Sequence, residues 1–237
     1  MTPDHSMAVA NNVQWYSTMA KAHGVAFEQT GTYWCADEAM PPYYSNYVVA
    51  KQDGAHLARI DELLRNERLP RLTVADSFAS LDEAALKDRG FTCLFAARWY
   101  GAAEVRAAPA YGTTFLTVET AEQLSGWEAR WRAWSPTDHP RVFPSSLLRV
   151  PGVTFRNMIV EGQAVGGALT HEGAAAVGLS NVFFKGEAAE GNALRSAAAT
   201  VASANPIVGY GTQKELDALK RVGFEDLGPH RVWIRGT

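Results

Sequence analysis

The longest nearly continuous apolar stretch, from Val177 to Phe184, predicts the central strand of the protein. Only small or polar residues interrupt it, which is the pattern of a strand covered on both faces. A short loop with Gly191 follows, and then an Ala-rich segment from Asn192 to Ser203 that predicts a helix. A strand, a glycine turn and a helix N-terminus suit a phosphate or pyrophosphate, because the first amides of a helix have no partner within it.

The rest of the chain alternates between helical and strand spacing of apolar residues. The predicted helices are Asn12 to His23, Ala55 to Asn66, Leu81 to Arg89 and Thr120 to Trp134. The predicted strands and hairpins are Val25 to Asp37, Tyr43 to Lys51, Leu72 to Ala75, Thr92 to Tyr100, Phe115 to Val118, Val153 to Glu161, Ala164 to Thr170 and Pro206 to Tyr210. His171, Glu172 and Gly173 predict a turn that leads into the central strand. Trp127, Trp131 and Trp134 share one helical stripe, which predicts either core packing or the wall of a ligand pocket.

Two stretches of the second half repeat stretches of the first half. SNYVV at Ser45 to Val49 matches SNVFF at Ser180 to Phe184 with an offset of 135 residues, and ALKDRGF, ending at Phe91, matches ALKRVGF, ending at Phe224, with an offset of 133. Both halves also show a helix, a short strand and a helix between the paired motifs. We therefore predict a mixed α/β fold of two tandem units, residues 1–105 and 111–237, with the first unit abbreviated.

In these motifs the second half resembles the GNAT superfamily of acyl-CoA-dependent N-acetyltransferases. The resemblance implies twisted mixed sheets flanked by helices, with a central strand that splays away from its neighbour. It also implies that the pantetheine arm of acetyl-CoA or another acyl-CoA pairs with the exposed backbone of that strand, which here is Val182, Phe183 and Phe184. A backbone amide of these residues would then stabilise the oxyanion. The family's pyrophosphate loop corresponds to Gly191, Asn192 and Ala193.

Two family positions differ in this chain. A tyrosine that commonly protonates the departing thiolate corresponds to Leu219 here and to Leu86 in the first unit, and a common asparagine corresponds to Thr212. Tyr210, at the end of the strand predicted to splay, is therefore the candidate acid, although a tyrosine at a strand end can also be a packing residue.

Asn181 and Asn46 interrupt equivalent apolar strands. A buried asparagine needs hydrogen-bond partners, so Asn181 either bonds to the neighbouring backbone or faces the cleft and contacts the substrate. Glu161, His171 and Glu172 are polar groups near strand ends, but each falls at a predicted turn where solvated residues are usual, and no base is assigned.

The leading functional hypothesis is transfer of an acetyl or other acyl group from acyl-CoA to a small amine. The alternative is a catalytically silent GNAT-fold module that binds acyl-CoA or another ligand as a sensor or interaction domain. The first unit begins its helix with Asp53, Gly54 and His56, whose charge and bulk disfavour a pyrophosphate, so we predict that the second unit holds the ligand.

Composition bears on the expected partners, location and metal content of the protein. The net charge is −3 and no cluster of basic residues is interleaved with aromatics, which predicts no nucleic-acid or anionic-membrane partner. No apolar run approaches the ~20 residues that span a bilayer, and no signal-peptide pattern precedes Asn12, so a cytoplasmic location is expected. Cys35 and Cys93 are expected to be buried, reduced thiols, and no histidine spacing predicts a metal site.

Overall fold

The computed structural model describes residues 1–66, 68–69, 71–106, 112–133, 140–184, 195–198 and 205–236. These residues form one continuous sheet of eleven strands with helices on both of its faces. The predicted mixed α/β class is confirmed.

The helices and strands of the described residues are as follows. The helices are α1 (His5–His23), α2 (His56–Leu64), α3 (Glu83–Asp88), α4 (Ala121–Arg132) and α5 (Gln213–Lys220), with a 3-10 helix at Ser145–Arg149 and a helical segment at 195–198. The strands are β1 (Glu28–Gln29), β2 (Tyr33–Cys35), β3 (Tyr47–Val49), β4 (Leu72–Asp76), β5 (Thr92–Ala102), β6 (Thr113–Thr117), β7 (Val153–Val160), β8 (Gln163–Gly173), β9 (Ala176–Phe184), β10 (Ile207–Gly211) and β11 (Glu225–Arg235).

The two repeated units share this sheet and exchange their last strands. The strand order is β1-β2-β3-β4-β11-β5-β10-β9-β8-β7-β6. The last strand of the first unit, β5, pairs with β10 of the second unit, whereas the last strand of the second unit, β11, pairs with β4 of the first. β5 and β11 also pair with each other, antiparallel, at the centre of the sheet. The predicted unit boundaries stay a prediction, since residues 107–111 lie outside the described residues.

Alternating residues of the central strands build two different cores, as the two-residue period of a strand requires. Trp99 of β5 and Val208 of β10 pack beneath α1. Their neighbours Tyr100 and Ile207 point to the opposite face and pack with Leu219 of α5. We refer to these two sides of the sheet as the α1 face and the α5 face.

Helix α1 begins at His5, seven residues before the predicted start. The side chain of Asp4 caps it by accepting a hydrogen bond from the Met7 amide, and Gly24, with φ of 70°, ends it as predicted. The prediction of the N-terminus was wrong because it followed apolar spacing and overlooked the cap residue. The extra turns matter, since α1 lies across β5, β8, β9 and β10.

The predicted turn at His171, Glu172 and Gly173 is wrong, because all three residues belong to β8. The chain turns at Ala174 and Ala175 instead, which both have positive φ, at 50° and 58°. Two left-handed residues form the tight turn that suits a hairpin, but alanine seldom adopts this conformation, so the sequence carried no turn signal there. His171 is consequently buried within the sheet.

Cys35 is buried as predicted, but Cys93 is exposed. The first half of β5 pairs with β11 on one side only and lies open to solvent, which a sequence pattern of apolar residues does not reveal. Within the described ranges, no helix has the length and apolar character needed to cross a lipid bilayer.

Candidate functional site

A cavity of about 250 Å³ opens where β9 and β10 separate. The two strands run parallel and pair through only two residue couples, Ile207 with Val177 and Val208 with Gly178. Beyond these couples both strands continue, and residues of each line the cavity. The predicted splay of the central strand is therefore present, and the backbone edge of β9 beyond Gly178 has no ladder partner on β10.

A β-bulge lies on β9 inside this cavity. Gly167 pairs with Phe183 and Leu169 pairs with Ser180, so β9 has one residue more than β8 between these couples. Asn181 lies in the bulge with φ of 49°, a conformation that asparagine tolerates better than most residues. The bulge bends the strand where it borders the cavity.

Tyr210, the candidate acid, lies in the cavity wall on the α1 face. Its ring packs against Trp99 and His230, with centroid distances of 5.0 and 4.7 Å. Burial raises the pKa of the Tyr210 hydroxyl above its usual value. At neutral pH this hydroxyl therefore holds its proton, as a general acid must.

A second hydroxyl, from Tyr100, enters the gap from the α5 face. Tyr100 pairs directly with Gly209 across the β5–β10 ladder. A Cβ atom at Gly209 would lie 2.8 Å from the Tyr100 hydroxyl and 2.6 Å from the Leu179 carbonyl oxygen of β9. The absence of a side chain at Gly209 thus leaves room for Tyr100 between the splayed strands. The sequence analysis missed Tyr100 because only the strand exchange brings it to this site.

Both units line the cavity, which the sequence analysis did not predict. The lining residues from the first unit are Ala8, Asn11, Asn12, Trp15, Tyr16, Tyr43, Tyr44, Trp99 and Tyr100. Those from the second unit are Trp131, Phe143, His171, Gly178, Leu179, Ser180, Asn181, Val182, Val208, Gly209, Tyr210 and Glu215. Helix α1 and the segment around Tyr44 close the cavity on the α1 face.

His171 is the one of the three base candidates that lines the cavity among the described residues. Its side chain stacks on Trp15 at 4.8 Å, and neither ring nitrogen has a hydrogen-bond partner within the described part of the chain. Burial lowers the pKa of His171 to about 4, and the nearby Asn11 backbone, which does not meet hydrogen-bond geometry with the ring, acts in the opposite direction. The ring is therefore neutral at pH 7 and able to accept a hydrogen bond. Glu161 lies in the exposed turn before β8 and Glu172 is exposed near its end.

In the first unit, the strands that correspond to β9 and β10 do not separate at the equivalent residues. Its parallel strands β3 and β4 pair through Tyr47 with Val74 and Val48 with Ala75. The offset of 135 residues carries the first of these couples onto Val182 and Gly209, which do not pair in the second unit. Where β9 and β10 separate in the second unit, β3 and β4 of the first unit are therefore paired.

His56 occupies the helix start of the first unit. Its ring is buried, Nδ1 lies 2.8 Å from the Tyr47 hydroxyl, and Nε2 lies 2.8 Å from the Lys51 carbonyl oxygen. This side chain fills the space next to Gly54, where a Cβ atom would lie 3.1 Å from the His56 ring. The packing gives a physical reason for the prediction that the first unit does not hold the ligand.

Asn46 and Asn181 have different surroundings despite their equivalent positions. The Asn46 amide nitrogen Nδ2 donates to the Glu38 carbonyl oxygen at 3.0 Å, and its backbone amide donates to the Thr73 carbonyl oxygen at 3.0 Å. Asn181 lines the cavity, and its Nδ2 donates to Ser180 Oγ at 3.2 Å. This geometry indicates a structural role for Asn46 and places Asn181 at the cavity.

These surroundings predict opposite effects of two substitutions. Asn46→Ala removes a buried amide that bonds to Glu38 and Thr73, and it should lower the free energy of unfolding by about 1 to 3 kcal/mol. Asn181→Gly keeps the positive φ and should change it by less than about 1 kcal/mol while it slows acyl transfer. Urea unfolding and thiol-release rates for both variants measure this contrast. An Asn46→Ala variant that keeps its free energy of unfolding but transfers the acyl group slowly would contradict this prediction.

The remaining predicted residues fall in three groups. Val182 lines the cavity, whereas the Phe183 ring packs on Trp127 at 5.0 Å and Phe184 is half-buried at the strand end. The predicted pyrophosphate loop, Gly191 to Ala193, lies outside the described residues, as does Trp134.

The two tryptophans of the stripe that are described differ in role. Trp127 is fully buried and donates from Nε1 to the Arg156 carbonyl oxygen at 2.9 Å, as a core residue. Trp131 lines the cavity and contacts Tyr43 at 5.1 Å between ring centroids. Both alternatives weighed for the stripe are therefore found, one at each residue.

Leu219 and Thr212 have packing roles that account for their residue types. Leu219 is fully buried in the core of the α5 face. Thr212 is the N-cap of α5 and forms a capping box with Glu215. Neither residue supplies the group that the family commonly has at its position.

Comparison with solved structures identifies the fold. A GCN5-related N-acetyltransferase from Kribbella flavida matches with a TM-score of 0.67 and 13% identity, over 98% of this chain and 97% of that chain. A protein from Staphylococcus epidermidis, described as functionally unknown, matches with a TM-score of 0.62 and 14% identity, over 89% and 93% of the two chains. A GCN5-related N-acetyltransferase from Sphaerobacter thermophilus matches with a TM-score of 0.50 and 12% identity, over 99% and 96%.

No model of a protein family matches the chain, and no curated protein matches it. Because the solved structures are so distant in sequence, they show the fold alone. The chain has the fold of the GNAT superfamily over nearly its whole length, and the predicted resemblance is confirmed at that level.

Proposed function

We propose that the protein transfers an acetyl or other acyl group from acyl-CoA to a small amine in the cavity between β9 and β10. The observation that carries this proposal is the unpaired edge of β9 beyond Gly178, which is bent by the bulge at Asn181 and borders the cavity. A free strand edge offers alternating amide and carbonyl groups, with which an extended amide-containing arm can pair as an added strand does. The pantetheine arm of CoA has that chemistry.

The residues of the cavity fit the steps of direct acyl transfer. The amine nitrogen attacks the thioester carbonyl carbon, the C–S bond breaks, and the sulfur leaves as a thiolate. Amides of the β9 edge near Val182 stabilise the negative charge on the carbonyl oxygen. Tyr210 donates its hydroxyl proton to the thiolate, and a base must take the proton that the amine nitrogen loses. His171 lines the same cavity, but burial lowers its pKa to about 4 and so disfavours its protonated form, and no base is assigned.

The alternative function, a silent module that binds acyl-CoA without turnover, draws its support from Leu219. That position holds a fully buried leucine in place of the family's usual acid. Under this alternative, the Tyr210 hydroxyl is a packing group and the cavity only binds.

One experiment separates the two functions. Thermal unfolding is followed with CoA, acetyl-CoA and longer acyl-CoAs, and thiol release is then measured with a panel of small amines. We expect stabilisation by acyl-CoA, because a ligand that binds only the folded state raises the unfolding temperature, and amine-dependent release of free thiol. Stabilisation without release identifies the silent module, and the absence of both refutes the proposed function.

A further inference from the structure

Five aromatic residues line the α1 face of the cavity, and we refer to them as the aromatic wall. Trp15 and Tyr16 come from α1, Tyr43 and Tyr44 from the segment before β3, and Trp131 from α4. Their rings form two groups of contacts, one of Trp15, Tyr16 and Tyr44 and the other of Tyr43 and Trp131. Tyr16 lies 5.4 Å from Tyr44, and Tyr43 lies 5.1 Å from Trp131, measured between centroids. Most of this wall belongs to the first unit.

The aromatic wall carries no carboxylate among the described residues. The acidic residue that lines the cavity is Glu215, which belongs to α5 on the opposite side of the sheet. Its Oε2 accepts hydrogen bonds from the backbone amide and the hydroxyl of Thr212, at 2.5 and 2.9 Å. The other polar groups of the described lining are uncharged amides, hydroxyls and an imidazole, so a ligand with several cationic groups would leave most of its charges without a carboxylate partner here.

A polar group nevertheless faces this wall. His171 is 6% exposed, stacks on Trp15, and has both ring nitrogens without a partner in the described part of the chain. Buried polar groups are ordinarily hydrogen-bonded, so an unpartnered histidine in a cavity indicates a missing ligand group. One nitrogen of a neutral imidazole accepts a hydrogen bond and the other donates one.

Tyr43 adds an independent sign of function. It adopts φ of 71°, which is unfavourable for a bulky side chain, and its ring lies over the cavity against Trp131 while about half of the residue is exposed. Strained residues of this kind are concentrated at ligand sites, where the strain holds a group in place.

From this geometry we infer that the aromatic wall and His171 form the acceptor subsite, and that the acceptor is a compact primary amine carried on an aromatic ring. This inference rests on the proposed function. The ring stacks on the aromatic wall, and aromatic faces also attract the ammonium form of the amine. His171 accepts a hydrogen bond from the amine nitrogen. A polyamine has more cationic groups than the one carboxylate of the described lining, Glu215, can pair.

The test measures binding and turnover separately. 2-Phenylethylamine, spermidine and glucosamine are titrated calorimetrically into the full-length protein with CoA present, and each is then assayed for thiol release from acetyl-CoA. We expect 2-phenylethylamine to bind at least about tenfold more tightly than the other two amines. Equal or weaker binding of 2-phenylethylamine overturns the inference. If CoA binds and spermidine or glucosamine alone drives thiol release, the proposed function stands and the acceptor class is wrong. If 2-phenylethylamine binds as expected but no amine drives release, the subsite stands and the proposed function fails.

A variant and its control test whether the Tyr43 ring contributes to the binding of 2-phenylethylamine. Tyr43→Gly removes the ring and relieves the backbone strain, so its urea midpoint should equal or exceed that of the unsubstituted protein while 2-phenylethylamine binds about tenfold more weakly. Leu116→Ala, which removes an exposed apolar residue outside the cavity lining, is the matched control and should leave binding unchanged. Unchanged affinity in Tyr43→Gly overturns the inference.

His171→Phe keeps a ring on Trp15 but removes both nitrogens. It should abolish the preference for 2-phenylethylamine over 2-phenylethanol, which a purely structural histidine would not affect. A preference that survives in His171→Phe overturns the role of the imidazole.

Discussion

Tyr210→Phe should lower the rate of thiol release from acetyl-CoA by about 100- to 10,000-fold, the range that a positioned acid contributes. The variant keeps the ring that packs on Trp99 and His230 and removes only the hydroxyl. Because burial raises the pKa of that hydroxyl, the loss should be the same across neutral pH. The dissociation constant for CoA should stay within about threefold, since the hydroxyl acts on the departing thiolate and not on the bound arm.

Tyr100→Phe is the matched control for this result. It removes the other tyrosine hydroxyl that lies in the gap, from the α5 face, and keeps its ring against Phe224 at 5.6 Å. We expect a much smaller loss of rate than in Tyr210→Phe. The opposite order would move the acid from Tyr210 to Tyr100 and contradict the assignment.

Gly209→Ala should weaken acetyl-CoA binding by at least about 100-fold, which corresponds to about 2.7 kcal/mol. The added methyl group would lie 2.6 Å from the Leu179 carbonyl oxygen and from the Tyr100 ring, so the backbone of β9 has to move. The gap between the splayed strands is then occupied by protein atoms. Calorimetric titration of acetyl-CoA measures the loss in a variant shown by urea unfolding to be folded.

Gly211→Ala controls for the general effect of adding a methyl group to β10. Its Cβ atom would meet the Glu215 carboxylate, the end of a flexible side chain that can move away. Binding in this variant should change by less than about threefold. Equal losses in the two variants would show that Gly209 has no special place in the site.

The duplication and most helices and strands could be predicted because they are encoded locally. The offsets between SNYVV and SNVFF, and between the two GF motifs, identify the repeat, and apolar spacing identifies the strands that flank the cavity. The exchange of β5 and β11 could not be predicted. Strand pairing between residues as far apart along the chain as Tyr100 and Asp226 leaves no local trace.

The set of residues that lines the cavity could not be predicted for the same reason. Tyr100 and Trp15 belong to the first unit, which the sequence indicated only as an empty copy. His171 was assigned to a turn because the true turn consists of two alanines with positive φ, whereas glycine or asparagine would have marked it.

Asn46 and Asn181 show that equivalent positions in repeated units can have different surroundings. Asn46 and Asn181 stand in equivalent strands, and the sequence left open whether Asn181 bonds to the backbone or faces the cleft. Asn46 lies next to residues that pair with the neighbouring strand, whereas Asn181 lies where the neighbouring strand has separated. That pairing depends on packing from the whole sheet.

Hydrogen exchange along β9 tests the central claim, that acyl-CoA pairs with the unpaired edge of this strand. Adding acetyl-CoA should slow amide exchange at Leu179 to Phe184 by at least about tenfold, because bound amides exchange only when the contact opens. The equivalent strand of the first unit, Tyr47–Val49, is already paired on both sides and serves as an internal control whose exchange should not change. Exchange on β9 that stays the same, or slows equally in both strands, would contradict the account.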